Sequence, residues 1–337
     1  MVYLNELEFR TTATFFLRDL FQQCSQSKIE IEPHWDIDHL CFRVETEDEY
    51  RKFQANFLEF SELLIESPVQ GRLISTFELL NPIVFNDRVI SLVELPAPKL
   101  GKKVKTGFEH IEVVCALSFE ELRRKYSHLK IDDKGLNKSF NREFEIELDR
   151  ASVKFHHSSL ASVIRLEQNS KVFQTLMKSE LLQSFKDCDP LIAGTFPLGL
   201  ETESSDIDLL LNSCDLLDIE HRLKSSYQQR SNFRLDKYKV KENPTLICHF
   251  DFEGVPFEIF VQSIPTVRQD AQRHFVIEDR ILKLGGALFK ERVREQRRLG
   301  LKTEAAFVKA LGFNDPDPFQ FLLNFCDSTD KELAKLF

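Results

Sequence analysis

Several features that would assign this sequence to a broad class are absent from it. Its seven cysteines stand singly, without a Cys-x-x-Cys pair, which argues against a disulfide framework and against a zinc site made of cysteines. No apolar run approaches the roughly 18 residues of a membrane span, and the first residues do not have the pattern of a secretory leader. We therefore expect a reduced, cytoplasmic protein with free thiols and no membrane association.

An excess of basic residues is also absent. Asp and Glu number 54 against 45 Lys and Arg, which gives a formal net charge of −9. We expect no general nucleic-acid binding, because nonspecific binding to phosphate backbones depends on positive charge. The hydrophobic fraction of 42% is ordinary for a globular protein, and 337 residues suggest about two domains.

Two carboxylates open an apolar strand in the second half of the chain. The motif Asp206-Ile207-Asp208 precedes three leucines and follows Gly194 by twelve positions. Because side chains alternate along a strand, Asp206 and Asp208 point to one face. Such a pair is tolerable with a divalent cation between the carboxylates, and hard oxygen ligands suit Mg²⁺. Gly194 allows close approach of a bound group, and the Thr195 hydroxyl can hold a phosphate.

A third carboxylate is expected on a neighbouring strand. Residues 247–261 predict a hairpin with its turn at Glu253-Gly254. Glu258 lies in the middle of the second strand between two apolar residues, where a charge without a role is costly. Asp251 is the alternative, and we prefer Glu258. Magnesium, a phosphate-holding turn and an attacking oxygen are the parts of phosphoryl or nucleotidyl transfer.

This arrangement resembles the nucleotidyltransferase superfamily, whose members carry Gly-Ser, then Asp-x-Asp, then a third acid on a later strand. Here Gly194-Thr195 stands for Gly-Ser and Glu258 for the usual Asp, and both substitutions keep the chemical group. The segments FEIFVQ (257–262) and AQRHFVIE (271–278) are similar to an uncharacterised bacterial family of such domains. The resemblance covers about residues 170–337.

The resemblance implies a role for each matching residue. Asp206, Asp208 and Glu258 would be catalytic, with Mg²⁺ bound by Asp206 and Asp208. The residues that would hold the nucleotide are Gly194, Thr195 and Ser205. Gln262 and His274, within the two family-like segments, are weaker candidates for the substrate pocket.

The first half of the sequence contains an internal repeat. His39 aligns with His110 and Glu94 with Glu167, at internal spacings of 55 and 57 residues. Each histidine lies in a predicted strand that is followed by a helix with a capping pattern and then by further strands. The last strand of the second unit is expected at residues 161–167. These observations predict two βαβββ units, at about residues 36–98 and 107–168.

The duplication resembles the vicinal-oxygen-chelate, or glyoxalase-like, fold, in which two βαβββ units close around a metal. The segments DHLCFRVE (38–45), ELPAP (94–98) and GFEHIE (107–112) are similar to the YecM-type branch of that superfamily. The resemblance implies His39, Glu94, His110 and Glu167 as metal ligands. Such a mixed nitrogen and oxygen site suits Zn, Mn, Fe, Co or Ni. Arg43 and Glu112 would line the cup, the first to hold an anionic group and the second as a base.

Together these patterns predict an α+β protein of two domains. Residues 1–169 form a duplicated βαβββ metal-cup domain that begins with a helix, and residues 170–337 form an α/β nucleotidyltransferase-like domain with a helical C-terminal tail. The leading hypothesis is transfer of a nucleoside monophosphate from an NTP to a small molecule or a protein hydroxyl. Metal-dependent isomerase, lyase or dioxygenase chemistry in the first domain is an alternative, and a non-catalytic binding or regulatory module is another.

Overall fold

The computed structural model describes residues 4–69, 71–99, 101 and 104–337. They form two β-sheets with helices before, between and after them, so the predicted α+β class is confirmed. In this described part of the chain, every helix is too short or too polar to serve as a membrane span.

The first sheet is built from two consecutive units. In chain order the elements are α1 (Glu6–Gln26), β1 (Asp36–Arg43), α2 (Glu47–Phe57), β2 (Ser61–Val69), β3 (Arg72–Phe85), β4 (Arg88–Pro96), β5 (Gly107–Val114), α3 (Phe119–Lys125), β6 (Ile131–Asp132), β7 (Phe144–Glu147) and β8 (Ser152–His156). The sheet order is β2-β3-β4-β1-β5-β8-β7-β6, so each βαβββ unit occupies one half. β1 and β5 pair antiparallel at the centre, with His39 opposite Glu112 and Cys41 opposite His110.

The last strand of the second unit lies earlier in the chain than the sequence pattern predicts. Residues 161–167 are not a strand but belong to helix α4 (Leu160–Gln168). The side chain of Ser159 caps this helix by accepting a hydrogen bond from the Ser162 backbone N–H. A short apolar run is compatible with the period of a strand and with that of a helix, and the capping serine favours the helix. The fourth strand is β8, which pairs parallel with β5 as β4 pairs with β1.

Helix α1 and the first sheet enclose a core rich in phenylalanine. Phe9, Ala13 and Leu17 are buried at successive turns on one face of α1. The ring of Phe57 lies 5.2 Å from that of Phe9 and 5.4 Å from that of Phe42, measured between centroids. Aromatic pairs of this kind contribute about 0.5–1.5 kcal/mol beyond the area that they bury. Packing therefore accounts for the phenylalanines of this core.

The second sheet has five strands in the order β11-β12-β13-β10-β9. The elements that follow α4 are α5 (Ser170–Lys178), α6 (Leu181–Ser184), β9 (Leu191–Ala193), α7 (Thr195–Leu198), β10 (Ile207–Asn212), α8 (Leu216–Tyr227), β11 (Ser231–Val240), β12 (Asn243–Phe252), β13 (Val255–Gln262), α9 (Asp270–Arg298), α10 (Thr303–Ala310), α11 (Pro318–Leu323) and α12 (Asp330–Leu333). The β12–β13 hairpin turns at Glu253 and Gly254, with φ of 48° and 75°, which confirms the predicted hairpin.

Buried charges join the C-terminal helices to the first sheet. Lys283 Nζ of α9 lies 2.6 Å from Asp36 Oδ1 of β1, and Arg280 Nη2 of α9 lies 2.8 Å from Asp330 Oδ1 of α12. Asp330 also accepts a hydrogen bond of 2.9 Å from the Val89 backbone N–H of β4. Because removal of one partner of a buried ion pair typically costs about 3–5 kcal/mol, these contacts fix α9 and α12 against the sheet.

Helix α4 bridges the two halves of the chain. Its Leu166 packs with α5 in the core of the second sheet. Ser159 Oγ donates a hydrogen bond of 2.5 Å to Asp279 Oδ2 of α9, and Arg165 Nη1 lies 2.6 Å from Asp279 Oδ1. The core of the second sheet thus includes a residue, Leu166, that lies within the predicted repeat. The predicted domain boundary between residues 169 and 170 stays a prediction.

Candidate functional site

The predicted carboxylates meet where β10 lies between β9 and β13. Asp208 is in register with Glu258 on the parallel strand β13 and with Ala193 on the antiparallel strand β9. Asp206 directly precedes β10. The carboxylates of Asp206 and Glu258 and the imidazole of His249 offer ligand atoms within 4.8 Å of one another. A third acid on a neighbouring strand therefore lies beside the Asp-x-Asp motif.

Asp251, the alternative third acid, lies at the turn end of the β12–β13 hairpin. It is in register with Pro256, and its Oδ2 accepts a hydrogen bond of 2.6 Å from Asn232 Nδ2. Glu258 instead faces His249 of β12, with Oε2 3.7 Å from Nδ1. The geometry favours Glu258.

Gly194 is required by the approach of Asp208. It has φ 77° and ψ −157°, a region of backbone space that is essentially restricted to glycine. A Cβ atom at this position would lie 1.7 Å from Asp208 Oδ2 and 2.7 Å from its Cγ. No side chain fits there, so the carboxylate of Asp208 lies directly against the backbone of the turn.

The carboxylates of this site disfavour one another's ionisation. Burial and the charges of Asp206 and Glu258 raise the pKa of Asp208 well above its ordinary value. Burial and Asp206 also raise the pKa of Glu258. Neighbouring carboxylates ionise together only when a cation compensates their charge, and an oxygen-rich set suits Mg²⁺. The residues present therefore fit the cation that the sequence predicts.

A cavity of about 240 Å³ opens against these carboxylates, between the second sheet and helices α9 and α10. The glycine and polar residues of its lining are Gly194, Asp208, Glu258, His274, Glu278, Thr303 and Glu304. His274, which was a weaker candidate in the sequence, thus faces the same space as the predicted catalytic acids.

The hydroxyls of Thr195 and Ser205 lie beside the carboxylate motif but bond to each other. Thr195 Oγ1 donates to Ser205 Oγ at 3.1 Å, and Ser205 Oγ accepts a hydrogen bond of 2.9 Å from the Thr202 backbone N–H. Both residues are buried. In this state the two hydroxyls hold the loop between α7 and β10 together.

Gln262 lies apart from the cavity. Its Nε2 donates a hydrogen bond of 2.9 Å to Thr245 Oγ1, and its backbone oxygen accepts one of 2.9 Å from Ser213 N. It follows Glu258 by four strand positions, about 13 Å along β13. It is not among the described residues that line the cavity. These contacts assign Gln262 to the strand end and do not favour the predicted pocket role.

A second candidate centre surrounds Glu112 on the first sheet. Its Oε1 lies 3.7 Å from His39 Nε2 and 3.4 Å from His110 Nε2, and its Oε2 lies 2.5 Å from His156 Nε2. The three histidines come from the adjacent strands β1, β5 and β8, and all four side chains are buried. We call this group the histidine cup.

Each imidazole of the histidine cup is oriented by an oxygen on its other ring nitrogen. These contacts are His39 Nδ1 to Asp38 Oδ2 at 2.8 Å, His110 Nδ1 to Glu109 Oε2 at 3.1 Å and His156 Nδ1 to Asn141 Oδ1 at 3.1 Å. Within the described residues, none of the three Nε2 atoms makes a hydrogen bond of acceptable geometry. A histidine that binds a metal through one ring nitrogen usually has the other anchored to an oxygen in this way.

Charge attraction holds the histidine cup together. Burial lowers the pKa of His39, but the Glu112 carboxylate and the hydrogen bond to Asp38 outweigh it and raise this pKa to about 9. Burial raises the pKa of Glu112, but Lys154 and His156 outweigh it and hold this pKa well below its ordinary value. A divalent cation would displace the imidazole protons, so the donor set fits a transition metal.

The other two predicted ligands, Glu94 and Glu167, line the same cavity as His39, His110 and Glu112. This cavity has a volume of about 370 Å³ and is also lined by Arg43, which pairs with Glu109. Among the described residues, His39, Glu94 and Glu167 join no group of three potential ligand atoms within 4.8 Å of one another, so their role as ligands stays a prediction. The alignment of Glu94 with Glu167 is wrong, because Glu167 lies on α4. In register, Glu94 lies opposite Cys41 and its counterpart Lys154 lies opposite Glu112.

Residues 6–167 match the family model of YecM protein. This match confirms the resemblance of the first half. An uncharacterized protein of Haemophilus influenzae is 29% identical over 156 residues, which cover 40% of this chain and 82% of that protein. Protein YecM of Escherichia coli is 26% identical over 149 residues, which cover 40% of this chain and 79% of that protein.

Residues 174–325 match a domain of unknown function, DUF4269. Two solved structures are similar to parts of the chain. A structural-genomics protein, EC4020, is 22% identical with a TM-score of 0.40 and covers 49% of this chain and 97% of its own. The Cid1 poly(U) polymerase bound to MgGTP is 15% identical with a TM-score of 0.32 and covers 44% of this chain and 48% of its own. Scores at this level do not indicate a shared function.

Sequence reasoning missed His156 and His249. His156 lies on β8, two positions after Lys154, and an alignment of β8 with β4 would have placed it on the face of the cup. His249 lies opposite Glu258 in the predicted hairpin, so its register could have been counted from the turn. Both signals depend on strand pairing rather than on a motif.

Proposed function

We propose that residues 170–337 carry a Mg²⁺-dependent nucleotidyltransferase. It would move a nucleoside monophosphate from an NTP to a hydroxyl of a small molecule or protein and release pyrophosphate. The observation that carries this proposal is the register of Asp208 with Glu258 on parallel strands, beside a glycine whose missing side chain makes room for the Asp208 carboxylate.

The residues divide the work between binding and proton transfer. Asp206 and Asp208 would hold Mg²⁺, which supplies charge neutralisation and orientation of the phosphates when bound. Glu258, whose pKa burial and Asp206 raise, is suited to take the proton of the acceptor hydroxyl or to complete the metal site. The loop of Gly194, Thr195 and Ser205 would hold the triphosphate after the two hydroxyls exchange their mutual bond for the ligand.

The charge of the cavity supports a small acceptor. Asp208, Glu258, Glu278 and Glu304 line a space of only about 240 Å³. Mg²⁺ would offset this charge for the phosphates of one NTP, whereas the net charge of −9 disfavours a long nucleic-acid acceptor.

Turnover with α-labelled NTPs tests this proposal. We expect label transfer to an acceptor from an extract of small molecules and proteins, and we expect its loss in Asp208→Asn and in Glu258→Gln. Asp251→Asn is the matched control, because Asp251 is the other acid of the same hairpin and lies at its turn end. Full transfer by Asp208→Asn, or loss in Asp251→Asn alone, contradicts the assignment.

The histidine cup supports a second candidate function. Three imidazole Nε2 atoms converge on Glu112, which favours a bound transition metal, and metal-dependent isomerase, lyase or dioxygenase chemistry on a small oxygenated substrate would follow. Glu112 would act as ligand or base. Elemental analysis of the purified protein and of His39→Ala/His110→Ala tests it, because equal metal content in the two proteins leaves the cup without a metal role. A binding or regulatory module is the reading that remains if neither metal nor NTP binds.

A further inference from the structure

A second group of ligand atoms lies in the transferase cavity, separate from the Asp-x-Asp motif. His274 and Glu278 are four residues apart on α9 and therefore on one face of the helix. Glu304 lies in the first turn of α10. One ligand atom of each of the three side chains lies within 4.8 Å of the other two, and all three residues line the cavity.

Each of the two residues on α9 has a buried polar atom without a hydrogen-bond partner. His274 is 6% exposed and Glu278 is 4% exposed. His274 Nδ1 and Glu278 Oε1 make no hydrogen bond within the described part of the chain. A buried polar atom without a partner costs about 1–3 kcal/mol, more when it is charged, so two such atoms facing one cavity indicate a missing ligand.

The chemistry of the three groups selects the class of ligand. His274 Nδ1 has no hydrogen-bond partner within the described residues, so this nitrogen is available to donate a lone pair to a metal. Glu278 and Glu304 bring ligand oxygens of two carboxylates within 4.8 Å of each other, and a cation between such groups stabilises both. One nitrogen and two carboxylates suit a borderline divalent metal better than Mg²⁺, and three protein ligands leave a position open towards the cavity.

We propose that His274, Glu278 and Glu304 bind a divalent transition metal such as zinc, with its open coordination position facing the cavity. The site is distinct from the histidine cup and from the proposed magnesium site. It stands on the geometry of α9 and α10 and does not depend on nucleotidyl transfer, so it survives if no NTP binds.

Equilibrium dialysis of the full chain against Zn²⁺, followed by elemental analysis, tests the proposal. We expect Glu304→Gln and His274→Ala each to lose one equivalent of zinc relative to the wild type. Two control variants are expected to lose no zinc. They are Glu295→Gln, which changes an exposed carboxylate on α9, and His221→Ala, which changes an exposed histidine on α8. Circular dichroism checks that each variant is folded, and the isosteric, half-buried Glu304→Gln keeps the test valid if His274→Ala unfolds.

Cobalt gives a second readout. Co²⁺ bound by a nitrogen and two carboxylates has visible d–d absorption. This absorption should fall by one equivalent in Glu304→Gln, and that same equivalent should remain in His39→Ala/His110→Ala even where the cup loses its own metal. Equal zinc content in the wild type, Glu304→Gln and His274→Ala overturns the proposal. Loss of binding of an organic amine in these variants, with unchanged metal content, also overturns it and assigns the pocket to a cationic acceptor.

Discussion

Replacement of Gly194 with alanine should disable the carboxylate site while leaving the second sheet folded. Two separate costs follow from the structure. The backbone conformation of φ 77° and ψ −157° costs a residue with a side chain about 1–3 kcal/mol. The new methyl group would also lie 1.7 Å from Asp208 Oδ2, roughly half of an ordinary contact distance, so the carboxylate has to move.

The magnitude of the functional loss follows from that movement. Relief of the contact displaces the Asp208 carboxylate by more than about 1 Å, and a misplacement of about 1 Å at a reacting centre can cost about 100-fold in rate. We therefore expect Gly194→Ala to lower nucleotidyl transfer at least about 100-fold. The midpoint temperature of thermal unfolding should fall by about 2–4 °C for each kcal/mol of backbone strain.

Gly254→Ala is the matched control for this variant. Gly254 also has a positive φ, 75°, but a Cβ atom there would meet nothing within 4 Å. Its alanine variant should therefore lose stability through backbone strain and keep Mg²⁺-dependent NTP binding. If Gly194→Ala binds and turns over NTPs as the wild type does, or loses no more activity than Gly254→Ala, the assigned contact between the glycine turn and Asp208 is refuted.

Three further predictions concern charges and metal. Burial and like charges raise the folded-state pKa of Asp208, so its ionisation destabilises the protein as pH rises above about 4. Asp208→Asn should therefore unfold at a higher temperature than the wild type at pH 7, and this gain should shrink near pH 4 and on addition of Mg²⁺. A lower melting temperature of the variant at pH 7 would contradict this. Asp330→Asn should lose about 3–5 kcal/mol of unfolding free energy in denaturant titration, since it breaks the pair of Arg280 and Asp330, whose side chains are 4% and 2% exposed. Lys331→Ala, which breaks the exposed pair with Asp87, should lose less than about 1 kcal/mol. Equal losses would refute the buried network. His39→Ala/His110→Ala should weaken transition-metal binding by the first half at least about tenfold in competition with a chelator, and unchanged affinity would remove these residues from the cup.

Local sequence patterns were sufficient to predict contacts between residues that are close in sequence or that share a strand face by the two-residue period. The Glu253-Gly254 turn sets the β12–β13 register, and that register places Glu258 opposite His249. The parallel pairing of Asp208 with Glu258 required β13 to lie next to β10, and the apolar residues around each acid are consistent with strands buried on both faces.

Sequence patterns gave a wrong assignment in the second βαβββ unit, where the strand assignment depends on long-range pairing. The residues around Glu167 have an apolar spacing compatible with strand or helix, and the capping of α4 by Ser159 together with its contacts to Asp279 on α9 decides for the helix. The spacing argument that matched Glu94 with Glu167 therefore chose the wrong element, and the register of β8 assigns Lys154 instead.

The centre of the histidine cup was hidden for a related reason. His156 is near His110 only because β8 pairs with β5, and the sequence between them includes α3 and two short strands. His110 and Glu112 share one face of β5, but the contact of His156 with Glu112 depends on strand pairing, and a motif search on single strands does not reveal it.

The measurement that tests the central claim most directly is calorimetric titration of the four NTPs into the wild type and Asp206→Ala/Asp208→Ala, with and without Mg²⁺. The account predicts Mg²⁺-dependent binding of an NTP by the wild type and no binding by the double variant. Absence of binding to any NTP, or equal binding by both proteins, would contradict nucleotidyl transfer at these carboxylates and would leave the histidine cup as the candidate centre of activity.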